Sequence, residues 1–83
     1  MAESAMSPRI QATFSGSTTR IYACFKPCNK FAIVNTGIAS LTFTIHDITI
    51  TVLANSSFED CFEDFDTVTV TTSVAYQAIV YSF

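Results

Sequence analysis

The chain has 83 residues, a formal net charge of −3 and only four basic residues. A chain of this length has room for one domain with one small core. Four basic residues cannot form the positive surface that a phosphate backbone requires, so we expect no nucleic-acid binding.

Hydrophobic residues make up 49% of the sequence, which is high for so small a domain. A monomer of this size has too little interior to bury that much apolar surface, so composition alone predicts self-association. No apolar run approaches the roughly eighteen residues that a membrane helix needs. The N-terminus lacks the basic start and apolar centre of a signal peptide, and we expect synthesis in the cytoplasm without a cleavable signal.

Residues 1–9 are mostly small, polar or charged, and they predict an extended N-terminal arm with no fold of its own. Residues 10–83 are predicted to form a single β domain. Its first strands are expected at Ile10–Phe14, Thr19–Phe25 and Lys30–Asn35.

Two features are expected to end the second and third of these strands. Pro27 should end the second, since proline donates no hydrogen bond to a central ladder. Asn35-Thr36-Gly37 should form a turn after the third, because Asn and Gly accept left-handed backbone angles.

The strongest pattern in the chain is Leu41–Val52, LTFTIHDITITV, in which apolar residues alternate with threonines. Such alternation predicts strands with one buried face. A two-residue turn at His46-Asp47 would pair Ile45 with Ile48 and would place all six apolar side chains on one face and four threonines on the other.

Residues 54–66 break the alternation. Phe58, Cys61, Phe62 and Phe65 recur at helical spacing, and Ser56 with Glu59 fits a capping box. The pattern therefore predicts a short helical turn near residues 57–65.

Two further strands are predicted at Thr67–Thr72, with Val68 and Val70 inward, and at Val74–Phe83, which is apolar on both faces. A strand of the latter kind is typical of a central position or a subunit interface. The whole series predicts an all-β fold, a small antiparallel β-sandwich or jelly-roll-like domain.

The clustered acids Glu59, Asp60, Glu63, Asp64 and Asp66 offer the oxygen ligands that calcium prefers, but their spacing matches no EF-hand. The solvated face of a short helix explains them better. Cys24, Cys28, Cys61 and His46 would be able to form a zinc site, but their spacing is not that of a usual zinc knuckle. We expect no metal and no cofactor.

Three cysteines leave one unpaired in an oxidising setting, whereas all three would simply pack in a reducing one. A Cys24–Cys28 disulfide across the Lys26-Pro27 turn is open if the strand ends come within bridging distance. Cys61 is most simply a small buried hydrophobe.

Catalysis is not predicted, because the single histidine lies in a tight turn and no paired carboxylates or glycine-rich loop are present. The threonine face, comprising Thr42, Thr44, Thr49 and Thr51 with Thr67, Thr69 and Thr71 nearby, would be able to bind carbohydrate or an ice-like lattice. Threonine is also the favoured outward residue of strands.

From Phe31 onward the chain resembles small β domains in virion proteins of phages infecting Gram-positive bacteria. The resemblance is carried by FAIVNTG, by LTFTI and ITITV around a two-residue turn, by F-x-x-x-F-x-x-F, and by VTVT and AY. The chain departs from that pattern at His46-Asp47, where a glycine would be expected, and in its three cysteines. The resemblance implies a structural or attachment role in a particle.

We therefore expect a non-catalytic subunit that self-associates in a virion, as a capsid-decorating, tail or fibre protein, with homo-oligomeric and other particle proteins as partners. Two alternatives stay open: a repeating subunit of a bacterial surface or spore filament, and a carbohydrate or host-surface binding module. The expected location is the virion, or else the cell surface or extracellular space. The residues expected to carry assembly are Pro8, Arg9, Ile10, Ile79, Tyr81 and Phe83.

Overall fold

The structure is a computed structural model and describes residues 9–82. It is all-β, with six strands and no helix in that range: β1 Arg9–Gly16, β2 Arg20–Asn35, β3 Leu41–Ile45, β4 Ile48–Val52, β5 Ser57–Thr71 and β6 Tyr76–Ser82. The predicted arm lies outside the described residues apart from Arg9, which begins β1.

The six strands form one antiparallel sheet in the order β1-β6-β2-β5-β3-β4. The long strands β2 and β5 occupy its centre and pair with each other at both of their ends. β6 lies between β1 and β2, so the last strand has a neighbour on each side, which is one of the two positions that its apolar faces predicted.

β2 runs as one strand through Pro27, where the sequence predicted two. Ala23 pairs with Thr67 and Cys28 with Phe65, so β2 advances five positions while β5 advances two. The three extra residues form a bulge. Proline is tolerated there because the unpaired residues of a bulge do not need to donate a backbone hydrogen bond to the neighbouring strand.

The predicted helical turn near residues 57–65 is wrong, because this segment is the first half of β5. Register shifts flank Phe65 on both sides. They change which side chains face the core, so Phe58, Phe62 and Phe65 all contact it although they are spaced like residues on a helix. Glu59 does not cap a helix and forms an ion pair with Lys30 at 2.9 Å.

The β3–β4 hairpin has the predicted register. Ile45 pairs with Ile48 and Leu41 with Val52, and the turn residues His46 and Asp47 have φ of 53° and 66°. Both positive angles belong to the primed turns that match the twist of the strands. Four of the six apolar side chains are buried, whereas Ile50 is half-buried and Ile48, beside the turn, is 51% exposed.

The core is apolar and lies on one face of each strand. It comprises Phe14, Cys28, Phe31, Ile33, Leu41, Phe43, Ile45, Val52, Phe65, Val68, Val70, Tyr76, Ala78 and Val80. Phe43 is its centre, because its ring lies 4.8 Å from that of Phe31 and 5.1 Å from that of Phe58.

Asn35 is a fully buried polar residue at the end of β2. Its Nδ2 donates to the carbonyls of Ala39 at 2.8 Å and Val52 at 3.1 Å, and its Oδ1 accepts from the Gly37 N–H at 2.9 Å. Its backbone N–H donates to Ser56 O. The residue thus joins the loops that follow β2 and β4.

The predicted turn at Gly37 is present, but the glycine is needed for a different reason from the predicted one. Its φ is not positive, so left-handed backbone freedom is not what it supplies. A Cβ at this position would overlap the side chain of Val74. The glycine is required because two loops pass too close for any side chain.

We expect Asn35→Ala to lower the free energy of unfolding by about 2–4 kcal/mol, because two carbonyls and one N–H lose their partner in a buried site. Asn35→Asp should cost at least as much, since it replaces the donor with a charged acceptor. Urea unfolding would measure both. Ser40→Ala, in the exposed part of the same loop, is the control and should change stability by less than about 0.5 kcal/mol; an equal loss at both positions would contradict this role of Asn35.

Candidate assembly surface and cysteine pair

The outward side chains of β1, β6 and the second half of β2 form one continuous surface, here called the β6 face. It consists of Ile10, Thr13, Ser15, Lys30, Ala32, Val34, Gln77, Ile79 and Tyr81. Tyr81 pairs with Ile10 on one side and Lys30 on the other. Strand alternation requires this arrangement, because the intervening Ala78 and Val80 are buried.

Three of the residues predicted to carry assembly meet on the β6 face. Ile10, Ile79 and Tyr81 lie on the neighbouring strands β1 and β6, and Ile10 is 60% exposed. Arg9 pairs with Ser82 at the same end of the sheet. Pro8 and Phe83 lie outside the described residues.

The β6 face contains a groove of about 430 Å³ that runs between β1 and β2. Its outward lining residues are Thr13, Ser15, Ala32, Val34, Gln77 and Ile79. At one end of this face Lys30 Nζ lies 5.0 Å from the centre of the Tyr81 ring. The hydrogen bond from Lys30 to Glu59 raises the pKa of Lys30.

Large hydrophobic side chains are also exposed away from the β6 face, and the sequence did not single them out. Phe25 is 93% exposed, Ile38 94%, Ile21 69% and Leu53 65%. Ile21 and Phe25 share the outward face of β2, whereas Tyr22 turns inward and stacks on Phe14 with centroids 4.4 Å apart. Strand alternation separates Ile21 and Phe25 from Tyr22, and the aromatic contact shows which of the two faces is the inward one.

The threonine face exists as a regular array on β4, β3 and β5. Thr51, Thr42 and Thr71 form one row of register partners, and Thr49, Thr44 and Thr69 form the next. The hydroxyls of Thr44 and Thr49 are 2.9 Å apart. The six hydroxyls lie on three adjacent strands and form two rows of register partners.

The acidic cluster is solvated, since all five of its residues are exposed. No group of three or more His, Cys, Asp or Glu side chains suited to hold a metal ion occurs within residues 9–82. These residues also contain no helix that is long and apolar enough to cross a bilayer.

His46 has a tertiary contact that the sequence did not indicate. Its Nε2 lies 2.6 Å from the carbonyl oxygen of Asp64 and 3.3 Å from that of Glu63. The imidazole N–H donates to these carbonyls and thereby ties the hairpin turn to the irregular part of β5.

The bulge in β2 brings two cysteines together. Cys28 is fully buried and Cys24 half-buried, and both side chains pack against the core. Cys28 Sγ also lies 3.7 Å from the carbonyl of Lys26. Cys61 is exposed and pairs with Lys30, which corrects the expectation that it is buried.

Burial raises the pKa of both paired thiols. Desolvation is the largest cause in each case, and it brings the pKa of Cys28 to about 12 from an ordinary value of 9.0. Both thiols are therefore protonated at neutral pH.

Comparison of the chain with protein families, curated proteins and solved structures found no match.

The Cys28 thiol should make the folded state less stable in alkali. Between pH 9 and pH 12 the unfolded chain releases this proton while the folded chain keeps it, so the free energy of unfolding falls as pH rises. Below pH 9 the thiol is neutral in both states and has no such effect.

Urea unfolding under reducing conditions at several pH values from 8 to 11 would measure this slope. Cys28→Ala should show a shallower decline than the unmodified protein, whereas Cys61→Ala, at an exposed position, should decline as the unmodified protein does. Parallel curves for all three proteins would contradict this role of Cys28.

Proposed function

We propose that this protein is a non-catalytic structural subunit that self-associates in a particle. The observation that carries the proposal is the exposure of large apolar side chains on a small, weakly charged domain. Seven of them are exposed within residues 9–82: Ile10, Ile21, Phe25, Val34, Ile38, Ile48 and Leu53. Of these, Ile10 and Val34 lie on the β6 face together with Ile79 and Tyr81, and contiguous exposed apolar surface is typical of protein interfaces.

The exposed apolar residues lie on more than one side of the molecule. Ile38 and Leu53 are in the loops joined by Asn35, whereas Ile48 lies at the opposite end of the β3–β4 hairpin. A closed two-fold dimer needs only one contact surface. Exposed apolar residues on several surfaces therefore favour an assembly in which each copy contacts several others.

The strand order leaves β1 and β4 with one hydrogen-bonded neighbour each among the described strands. An edge strand of this kind is able to accept a strand from another chain. β1 also borders the β6 face and follows directly after residues 1–8. We therefore propose that β1, the β6 face and the N-terminal arm make the contacts between subunits.

We further propose that the single sheet folds over into a two-layered sandwich. Support comes from contacts between strands that are not neighbours in the sheet. Phe14 of β1 stacks on Tyr22 of β2, and Phe31 of β2 packs on Phe43 of β3. The bulges in β2 and β5 lie where such a fold would need the strands to bend.

The proposed particle is a virion, in which the protein decorates the capsid or forms part of a tail or fibre. This assignment rests on the resemblance of residues 31–83 to small virion β domains. A repeating subunit of a bacterial surface or spore filament uses the same contacts and is the alternative.

The proposal predicts that the purified protein forms particles well above the 9.1 kDa of one chain, measured by light scattering. Ile79→Lys places a charge in the centre of the β6 face and should shift the population towards monomer. Deletion of residues 1–8 should weaken association in the same direction.

Thr44→Lys is the matched control, because it places the same charge on the threonine face. If Thr44→Lys dissociates the particles and Ile79→Lys does not, the threonine face is the interface. A monomeric protein at all accessible concentrations would overturn self-association.

The threonine array favours a second candidate function, binding of carbohydrate on a host surface. Its six hydroxyls are able to donate and accept hydrogen bonds with a sugar polymer. The absence of aromatic rings among these six residues favours a polar mode of binding over stacking.

We expect the double substitution of Thr44 and Thr69 by valine to reduce binding of polysaccharide from a Gram-positive cell wall by about tenfold or more, since valine keeps the shape and removes the hydroxyls. Titration calorimetry would measure it. Thr13→Val on the β6 face is the control and should bind normally. Undetectable binding by the unmodified protein would exclude this function for that polysaccharide.

A further inference from the structure

The bulge in β2 forms a small loop whose two ends carry cysteines. Between Ala23 and Cys28 the strand covers five residues in the space that β5 crosses in two. In a regular strand, residues four apart would be about 13 Å apart. The bulge shortens that separation, and both cysteine side chains pack against the same core.

The loop is held in place from outside. The Gln11 side chain accepts a hydrogen bond from the Phe25 N–H at 3.2 Å and donates one to the Lys26 carbonyl at 3.0 Å. β1 therefore fixes the conformation that brings Cys24 and Cys28 together. At its apex the loop presents Phe25, which is 93% exposed.

We propose that Cys24 and Cys28 are a redox site at which a low-molecular-weight disulfide, such as oxidised glutathione, closes the loop by forming a reversible disulfide bond. Cys24 is the entry point because it is half-buried, whereas Cys28 is inaccessible. Cys61 faces outward beside Lys30 and belongs to a different surface.

The reaction proceeds by two exchanges. The thiolate of Cys24 attacks one sulfur of oxidised glutathione, forms a mixed disulfide and releases one glutathione thiolate. Cys28 then loses its proton and attacks the Cys24 sulfur, which releases the second glutathione. The two protein thiols are oxidised, one glutathione disulfide is reduced to two glutathione molecules, and these take up the two protons.

The raised pKa of both thiols affects the rate of this reaction. Only the thiolate attacks, so exchange should be slow at pH 7 and faster at pH 9. Excess reduced thiol reverses the reaction by the same route.

The sequence allows a direct test, because Lys30 is its last basic residue and trypsin cleaves poorly before Pro27. Trypsin therefore releases residues 21–30 with both Cys24 and Cys28, and residues 31–83 with Cys61. The full-length protein would be equilibrated with oxidised and reduced glutathione at pH 8.5, alkylated with iodoacetamide, digested and weighed by mass spectrometry.

The proposal predicts that peptide 21–30 is two hydrogen masses lighter than the reduced peptide and carries no alkyl group, while peptide 31–83 carries either one alkyl group or one glutathione. A disulfide joining the two peptides, or two alkyl groups on peptide 21–30 at high oxidised glutathione, would overturn the proposal. Cys61→Ser should leave the result unchanged. Cys24→Ser should abolish the loss of two hydrogens from peptide 21–30.

The synthetic peptide 21–30 serves as the reference for what the fold contributes. If the folded protein holds the thiols together, its disulfide should form with an equilibrium constant on the order of tenfold above that of the peptide. An equal or smaller constant in the protein would show that the bulge does not favour the bond, and would overturn the proposal that the fold builds this site.

Discussion

A single buried amide, that of Asn35, holds one end of the molecule together. The loops after β2 and β4 carry backbone carbonyls that face inward, and the Asn35 side chain is the partner for two of them. A buried polar group without a hydrogen-bond partner destabilises the fold. The Asn35 amide and these carbonyls all have partners only when the two loops and the end of β2 are in place together. Gly37 and Val74 complete the constraint, because the loop after β5 packs where a side chain on Gly37 would lie.

The sequence predicted the all-β class and the register of the β3–β4 hairpin, because both depend on local information. Six alternating apolar residues and a two-residue turn allow only one pairing that buries a single face. The helical spacing of the three phenylalanines misled for a physical reason. A bulge shifts side chains between faces, and the register shift between Cys61 and Phe65 gives the three phenylalanines the same spacing as on a helix. Whether this segment is a helix or an irregular strand depends on its pairing with β2, whose residues are distant in the sequence.

The candidate surfaces were predictable only in part, for a similar reason. Ile10, Ile79 and Tyr81 meet because β1 and β6 pair. The two apolar faces of the last strand predicted a central position or a subunit interface, but not which strand would be its neighbour. Ile21 and Phe25 were not identified, because their exposure depends on Tyr22 stacking against a strand elsewhere in the sheet. The proximity of Cys24 and Cys28 depends likewise on the number of residues in the bulge, and the sequence alone left it open.

The pairing of Arg9 with Ser82 has a mechanical consequence. Both ends of the described chain leave the sheet at the same end, from adjacent antiparallel strands. Tension applied between the two ends would break the hydrogen bonds between β1 and β6 one after another. It would not load many of these hydrogen bonds at the same time. A subunit with this geometry withstands force poorly along its own backbone. In an assembly exposed to flow or pressure, the load would have to pass from copy to copy through side-chain contacts.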